Sequence, residues 1–227
     1  MTSWAERLGV FDLETTGVDT GTARIVTAFV GELGGAGEVL SRNDWVIDPM
    51  VEIPEAAAAV HGYTTERVQE EGMAAQAGVA QIIAALRGIL AGGVPVVAYN
   101  AAYDFTVLDR EALRYGIPPL EPTLVVDPLV IDKALDRYRR GKRTLEFTAA
   151  TYGVRLDDAH DAGADAIAAG RVAQALAAKY GADLDLSAAE LHARQIAWSA
   201  DQAASYQEYR RSRGETAFVT SGAWPLR

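Results

Sequence analysis

The sequence has no cysteine and only three histidines among its 227 residues. Without cysteine there is no disulfide, no thiol nucleophile and no zinc site built from thiolates. A metal site in this chain would have to be made of carboxylates, with imidazole as a minor contributor. Ligand sets of this kind favour hard, oxygen-bound divalent cations.

Long apolar runs are also missing. The longest run, residues 82–99, is interrupted by Arg87, Gly88 and the turn at residues 92–95, so it is too short to cross a bilayer. The first residues do not combine a basic segment with an apolar one. We therefore expect no signal peptide, no membrane association and a location in the cytoplasm.

Basic residues are outnumbered by acidic ones, 21 against 31, and the formal net charge is −10. Such a balance argues against a nucleic-acid partner, because phosphate contacts normally need a basic surface. The basic residues are unevenly spread, however, and five of the seven residues at 137–143 are Arg or Lys. Local charge therefore leaves a nucleic acid open as a partner.

The hydrophobic pattern changes along the chain from strand-like alternation to helical periods. Strands are predicted at residues 8–14, 23–33, 38–47, 94–99 and 123–127. Helices are predicted at residues 55–60, 64–71, 76–91, 103–115, 128–138, 144–152 and 162–180. Three antiparallel strands followed by β-α-β-α units predict a mixed five-stranded α/β sheet flanked by helices, an order that resembles the ribonuclease H-like fold.

A further helical pattern at residues 187–213 lies beyond this core and is followed by an irregular tail. No linker composition separates the two parts. We predict a core domain at residues 1–182 and a C-terminal helical extension at residues 183–227 that packs on it.

Two acidic residues interrupt the first apolar strand. Asp12 and Glu14 alternate with Phe11 and Leu13, so both carboxylates point to the same side, roughly 6 to 7 Å apart. Their repulsion and desolvation would be offset by a bound cation or strong hydrogen-bond donors. The alternative is an exposed strand end with two solvated acids.

Another acid follows the predicted strand at residues 94–99. Asn100 stands at the strand end and Asp104 in the first turn of the next helix, a junction where ligands commonly bind. By itself, Asp104 is more typical of an acid that the helix dipole stabilises than of a metal ligand.

The last acidic motif begins with His160. It precedes a predicted helix, and Asp165 lies about one turn inside that helix, so both can face one site. Asp161 is better explained as the N-cap of this helix and is left outside the site.

Together the three motifs, at residues 11–17, 100–104 and 160–165, resemble those of the DEDDh exonucleases. This DnaQ-like family contains the proofreading subunit of the bacterial replicative DNA polymerase. The resemblance spans most of residues 8–180. It implies a 3′→5′ exonuclease that acts on DNA, with two Mg²⁺ ions as cofactor and Mn²⁺ as a substitute.

The resemblance also implies a role for each motif residue. Asp12 would bridge the two ions, Glu14 and Asp165 would complete the site of the first, and Asp104 would reach the second through water. His160 would act as the general base that takes a proton from the attacking water.

Substrate contacts are expected at the turn after the first strand, near residues 60–64, beside the second motif and in the basic run. The predicted residues are Thr15, Thr16, Gly17, His61, Tyr63, Asn100, Tyr103, Arg140, Lys142 and Arg143. Core packing is an equal alternative for Tyr63, and a solvated loop is the alternative for the basic run.

Other functions remain open on the sequence. The same five catalytic residues serve 3′→5′ exoribonucleases and oligoribonucleases, and the pattern does not report how a 2′ hydroxyl is received. A non-catalytic protein that binds nucleic acid or a polymerase could also use this fold. We expect a free-standing enzyme rather than a polymerase subunit, and the C-terminal helix could alternatively form a homodimer interface.

Overall fold

The computed structural model describes residues 3–156 and 160–227. Its strands are β1 (Arg7–Thr15), β2 (Ile25–Gly34), β3 (Val39–Asp48), β4 (Met73–Ala74), β5 (Val96–Val97) and β6 (Val125–Val126). They form one sheet in the order β4-β3-β2-β1-β5-β6. The first three strands are antiparallel neighbours, whereas β5 runs parallel to β1 and β6 runs parallel to β5.

Helices follow each later strand and cover the sheet. They are α1 (Glu55–His61), α2 (Thr65–Glu71), α3 (Ala75–Ala91), α4 (Ala102–Arg114), α5 (Pro128–Leu135), α6 (Leu145–Thr151), α7 (Ala162–Lys179) and α8 (Ala188–Ser212), after a short 3-10 helix at Ser3–Ala5. None of the helices in these described ranges is both long and apolar enough to span a membrane.

This topology confirms the predicted ribonuclease H-like α/β fold with one correction. The sheet has six strands rather than five, because Met73 and Ala74 pair in parallel with Ile47 and Asp48. A two-residue strand has no alternation to recognise in the sequence. Its pairing depends on α2 and α3 bringing these two residues to the edge of β3.

The two faces of β1 belong to different layers. Phe11 and Leu13 pack in a core with residues of α3 and α4. Leu8 and Val10 point the other way and pack with residues of α7. Because strand residues alternate, Asp12 and Glu14 continue the face that α7 covers.

Helix α7 approaches β1 closely at Gly170. A Cβ atom there would lie 2.5 Å from the side chains of both Val10 and Leu33, so only glycine fits. This contact fixes the height of α7 above the strand. It thereby brings the N-terminal turn of the helix next to the acidic end of β1.

The outer edge of β6 is covered by side chains of α8. The Val125 N–H donates to His192 Nδ1 at 3.0 Å, and the Asp127 N–H donates to Gln195 Oε1 at 2.6 Å. Gln195 Nε2 in turn donates to the Val125 carbonyl at 3.0 Å. These side chains thus form the hydrogen bonds that a seventh strand would otherwise form with the backbone of β6.

The C-terminal tail returns to the same region. The Trp224 ring lies 5.0 Å from that of His192, and its indole N–H donates to Asp127 Oδ2 at 3.4 Å. The Arg227 N–H donates to Thr106 of α4 at 3.0 Å. The helix and the tail thus rest on the parallel half of the sheet; the division at residue 182 stays a prediction.

Candidate active site

The carboxyl ends of β1 and β5 meet at one edge of the sheet, because these strands are parallel. Their pairing covers only Gly9 and Val10 of β1, so the two strands separate before Asp12. The gap admits the N-terminal turn of α4, which carries Asp104. Acidic residues from β1, α4 and α7 therefore converge at this edge.

Three of the predicted residues form a compact group. One ligand atom from each of Glu14, His160 and Asp165 lies within 4.8 Å of the other two. Asp165 Oδ2 accepts the His160 N–H at 3.2 Å, which ties the loop before α7 to the helix. Asp165 Oδ1 is buried and has no hydrogen-bond partner in the part of the chain that is described.

His160 has an unusual backbone conformation for its position. Its φ of +72° lies in the left-handed region, which residues other than glycine rarely adopt. Its side chain is exposed, although the imidazole belongs to the group with Glu14 and Asp165. The turn therefore presents a solvent-accessible imidazole directly against two carboxylates.

Asp104 completes the acidic set from the opposite side of β1. It is 3% exposed and lies beside the backbone of Leu13, whose N–H group offsets part of the cost of burial. The next residue, Phe105, packs edge to face on Phe11 with a ring separation of 5.3 Å. This aromatic pair holds the first turn of α4 against the strand.

The electrostatics of the site favour protonation of its acids. Burial is the main cause in each case, and it raises the pKa of Glu14 to about 8, with repulsion from Asp165 adding to it. The pKa of Asp12 and that of Asp104 are raised well above the usual range, and repulsion from Asp104 adds to the effect on Asp12. The pKa of Asp165 is raised as well. No Lys or Arg within residues 3–156 and 160–227 forms an ion pair with these four acids.

The turn after β1 is joined to α4 through hydroxyl groups. Thr15 Oγ1 lies 2.5 Å from the Tyr103 hydroxyl, and both groups donate to the Gly17 carbonyl. Thr16 Oγ1 accepts the Arg24 N–H at 3.0 Å. The contacts bring Thr15, Gly17 and Tyr103 together beside Glu14, and they fix the backbone at residues 15–17.

The segment around His61 lies against the same turn. His61 Nδ1 accepts the Tyr63 N–H at 3.2 Å, whereas Nε2 is buried and has no hydrogen bond within the described ranges. Burial lowers the pKa of His61, and the backbone of Thr15 partly opposes this shift. Tyr63 is partly buried, packs at the edge of a small core and stacks under Arg67 at 4.1 Å.

Asp127 was not singled out from the sequence. It is 1% exposed, and its carboxylate accepts the N–H groups of Asn100 at 3.0 Å and Ala101 at 2.9 Å, as well as that of Leu129 at the start of α5. It thus holds the loop that leads to Asp104, in which Asn100 has a left-handed φ of +61°. Its place directly after an apolar strand and before Pro128 was the available signal.

The basic run at residues 137–143 divides into two kinds of residue. Arg143 and Arg139 both pair with Asp132, which has no exposed surface. Arg140 and Lys142 are exposed. Arg143 therefore has a buried internal partner, whereas Arg140 and Lys142 face solvent, and a phosphate contact by any of the three stays a prediction.

Residues 10–173 match the model of the RNase_T exonuclease family. The chain belongs to this exonuclease family. The match contains all three acidic motifs, and it confirms the DnaQ-like resemblance. Over 167 residues the chain is 26% identical to the PolC-type DNA polymerase III of Lacticaseibacillus paracasei, a match that covers 74% of this chain and 11% of the polymerase.

Solved structures of Exonuclease I share the fold of this exonuclease domain. The Escherichia coli enzyme in complex with a dA16 oligonucleotide has a TM-score of 0.65 at 18% identity, over 78% of this chain and 42% of that one. Exonuclease I from Methylocaldum szegediense has a TM-score of 0.63 at 20% identity, over 77% and 41% of the two chains. The chain therefore spans about two-fifths of the length of these enzymes.

Proposed function

We propose that this exonuclease domain removes nucleotides from the 3′ ends of DNA, by a two-metal hydrolysis in which His160 is the general base. The observation that carries the proposal is the convergence of Glu14, His160 and Asp165 within 4.8 Å, beside two further carboxylates at Asp12 and Asp104. The family membership supports nuclease activity. The oligonucleotide bound to Exonuclease I supports DNA as the substrate.

Divalent cations fit the chemistry of this residue set. Asp165 Oδ1 is buried and has no hydrogen-bond partner in the described residues, and burial, with repulsion between neighbouring carboxylates, raises the pKa of each of the four acids. Asp12, Glu14, Asp104 and Asp165 would hold two Mg²⁺ ions, with Mn²⁺ as a substitute. When bound, these ions supply charge neutralisation at the phosphate and activation of the attacking water.

His160 is suited to move the proton of that water. Its imidazole is accessible to solvent and adjoins two carboxylates, while its backbone is held by the hydrogen bond to Asp165. A general base placed in this way accepts the proton as the phosphodiester bond is attacked. The adjacent carboxylates would stabilise the imidazolium that results.

The terminal nucleotide would lie against residues 15–17 and Tyr103. The hydroxyl groups of Thr15 and Tyr103 fix the carbonyl of Gly17 and offer partners to a 3′ hydroxyl. Thr16, Asn100, His61 and Tyr63 would border this position, and His61 Nε2, which has no hydrogen-bond partner in the described residues, would supply a further polar atom. Arg140 and Lys142 would contact the phosphates that follow.

The direct test uses single-stranded DNA and RNA of the same sequence, labelled at the 5′ end and incubated with Mg²⁺, Mn²⁺ or EDTA. We expect a metal-dependent ladder that shortens from the 3′ end, faster for DNA. Faster shortening of RNA would identify an exoribonuclease instead. No shortening with either metal would contradict the proposal and favour a protein that only binds.

His160→Gln isolates the general base within this assay. We expect the rate to fall by about a hundredfold or more, in the range that general-base catalysis contributes. The matched control is Asp161→Ser, which changes the next residue but retains an N-cap for the Ala164 N–H. A rate for His160→Gln equal to that of the control would remove His160 from the mechanism.

Location in the cytoplasm and roles in proofreading or DNA repair stay predictions from the sequence. The relation to a polymerase is also a proposal, since the match to the PolC-type enzyme covers only 11% of that protein. Co-purification of this chain with a polymerase subunit would contradict the expectation of a free-standing enzyme.

A further inference from the structure

A groove between α5 and α8 combines aromatic and cationic side chains. Its volume is about 650 Å³, and its lining includes Lys133, Arg137, Trp198, Tyr206 and Tyr209. None of these residues belongs to the three acidic motifs or to the proposed seat of the terminal nucleotide. The predicted role of α8 was packing or dimer formation, and packing on the core does not explain exposed aromatic rings beside basic residues.

One side of the groove is a stripe of α8 that has an aromatic residue at each end. Residues 198, 202, 205 and 209 all line it, a spacing that places them on the same helix face. From Trp198 to Tyr209 the stripe covers about 16 Å at the helical rise of 1.5 Å per residue. Four bases stacked about 3.4 Å apart would fit along that length.

Two tyrosines of α8 that line the groove present accessible rings. Tyr206 is 47% exposed and Tyr209 is 58% exposed. The Tyr206 ring packs edge to face on Phe218 at 5.5 Å, and its hydroxyl accepts a hydrogen bond from Arg210. It is therefore a fixed platform, which loses little conformational entropy when a flat ring stacks on it.

The other side of the groove is basic. Arg143 is already paired with Asp132, but Lys133 and Arg137 make no ion pair within residues 3–156 and 160–227. Asp201 is the acidic residue in the lining. Two cations that lack an ion pair in the described residues, in a chain of net charge −10, favour binding of an anion here.

The groove adjoins the loop that leads to the candidate active site. Arg143 lines it, and the carbonyl of Arg143 accepts the Tyr99 hydroxyl at 2.7 Å, one residue before Asn100. Helix α5 begins immediately after Asp127, whose carboxylate holds Asn100 and Ala101. A strand whose 3′ end occupies the active site would therefore find the groove on the neighbouring part of the surface.

We propose that the groove between α5 and α8 binds the single-stranded portion of the substrate, with bases stacked on Tyr206 and Tyr209 and phosphates facing Lys133 and Arg137. This inference rests on the proposed nucleic-acid substrate. It implies that α8 makes the protein bind long strands more tightly than short ones. Stacking of this kind does not depend on base sequence, because every base has an aromatic face.

The test measures binding without cleavage. Fluorescein-labelled dT20 and dT3 are titrated in EDTA against wild type, Tyr209→Ala and Tyr209→Phe. We expect Tyr209→Ala to weaken binding of dT20 by about tenfold, the scale of one base stack, and to leave dT3 unchanged. Tyr209→Phe retains the ring and should bind dT20 like wild type. Equal affinity of all three proteins for dT20 would overturn the inference.

Salt dependence tests the basic side separately. Arg137→Gln should reduce the slope of log affinity against log salt by about 0.7, the value for one phosphate contact on a single strand. Arg194→Gln is the control, because Arg194 is an exposed cation on α8 outside the groove. The same slope for Arg137→Gln as for wild type would remove the phosphate contact.

The outcomes separate this inference from the proposed activity. A wild-type protein that fails to shorten DNA but binds dT20 through Tyr209 would refute the activity and keep the groove. A protein that shortens DNA and binds dT20 independently of Tyr209 would support the activity and refute the role of the groove. If sedimentation shows a wild-type dimer that Tyr209→Ala dissociates, the groove is an interface between copies and the inference fails.

Discussion

Two sets of buried carboxylates in this domain differ in what surrounds them. Asp132 is fully buried, yet hydrogen bonds from Arg139, Tyr152 and Arg143 hold its pKa below the usual range despite the cost of burial. Asp12 and Asp104 make no ion pair with the described residues, and burial raises their pKa values. The fold thus supplies positive charge to Asp132, whereas the two acids of the second set are the ones proposed to bind metal ions.

The comparison explains why one acidic site is structural and the other is a candidate active site. A carboxylate that is already paired has no affinity left for a cation. An unpaired cluster stores electrostatic repulsion that a divalent ion relieves on binding. The difference can be tested by changing the charge in each set.

The largest effect is expected for Asp12→Asn. Removal of one negative charge should lower nuclease activity by about a thousandfold, the upper range for loss of one electrostatic stabiliser. The same change relieves repulsion, so the metal-free protein should melt at a higher temperature than wild type. Initial rates and thermal melting in EDTA measure the two effects. The exposed Asp44→Asn should change neither, and a lower melting temperature for Asp12→Asn would contradict the stored repulsion.

Asp132→Asn should have the opposite effect on stability. It leaves two guanidinium groups, whose side chains are 10% and 15% exposed, without their charge partner. Loss of one member of a buried ion pair costs about 3 kcal/mol of unfolding free energy. Urea denaturation with and without Mg²⁺ measures the loss, which should be the same in both. A variant as stable as wild type would show that the ion pairs of Asp132 do not stabilise the fold.

The dependence of stability on pH should follow from Glu14. Its pKa of about 8 in the folded protein lies above the ordinary value of 4.5, so the folded state binds more protons than the unfolded state between these values. The metal-free protein should therefore lose stability as the pH rises from about 5 to 8. Glu14→Gln should flatten this dependence in EDTA, as should Mg²⁺ in wild type. An unchanged slope in Glu14→Gln would assign the effect to other groups.

The smallest effect is expected at the edge of β6. Gln195→Ala removes the acceptor for the Asp127 N–H and the donor to the Val125 carbonyl, at a side chain with no exposed surface. We expect a loss of about 1 to 2 kcal/mol, because these backbone groups are left unsatisfied. Thermal unfolding measures it, with Glu208→Ala at an exposed position as the control on the same helix. A loss no greater than in the control would mean that water replaces Gln195.

The motifs were accessible from the sequence because their physical reason is local. Alternation alone places Asp12 and Glu14 on the same side of a strand. His160 directly precedes a helix and Asp165 lies in its first turn, so the two side chains can face one site. The strand order similarly follows from turns and periodicity. These features predicted the fold, and the family match confirmed it.

Other features depended on contacts between distant segments. Asp127 became visible only when its carboxylate was found to hold Asn100 and Ala101, 26 or more positions earlier in the chain. Gln195 was likewise an unremarked helix residue until its amide was found on the β6 backbone. From the sequence, Arg143 was expected to face solvent or to contact phosphate. In the structure its guanidinium pairs with the buried Asp132.

Local patterns predicted the order of helices and strands apart from β4, and they identified the acidic motifs, because both features arise from residues only a few positions apart. The packing of distant segments fixed which charges are compensated. It placed Arg139 and Arg143 on Asp132, gave Asp12 and Asp104 no ion pair among the described residues, and set Tyr209 and Arg137 in one groove. Pairing energies depend on distance and burial, which are fixed only when separate elements pack.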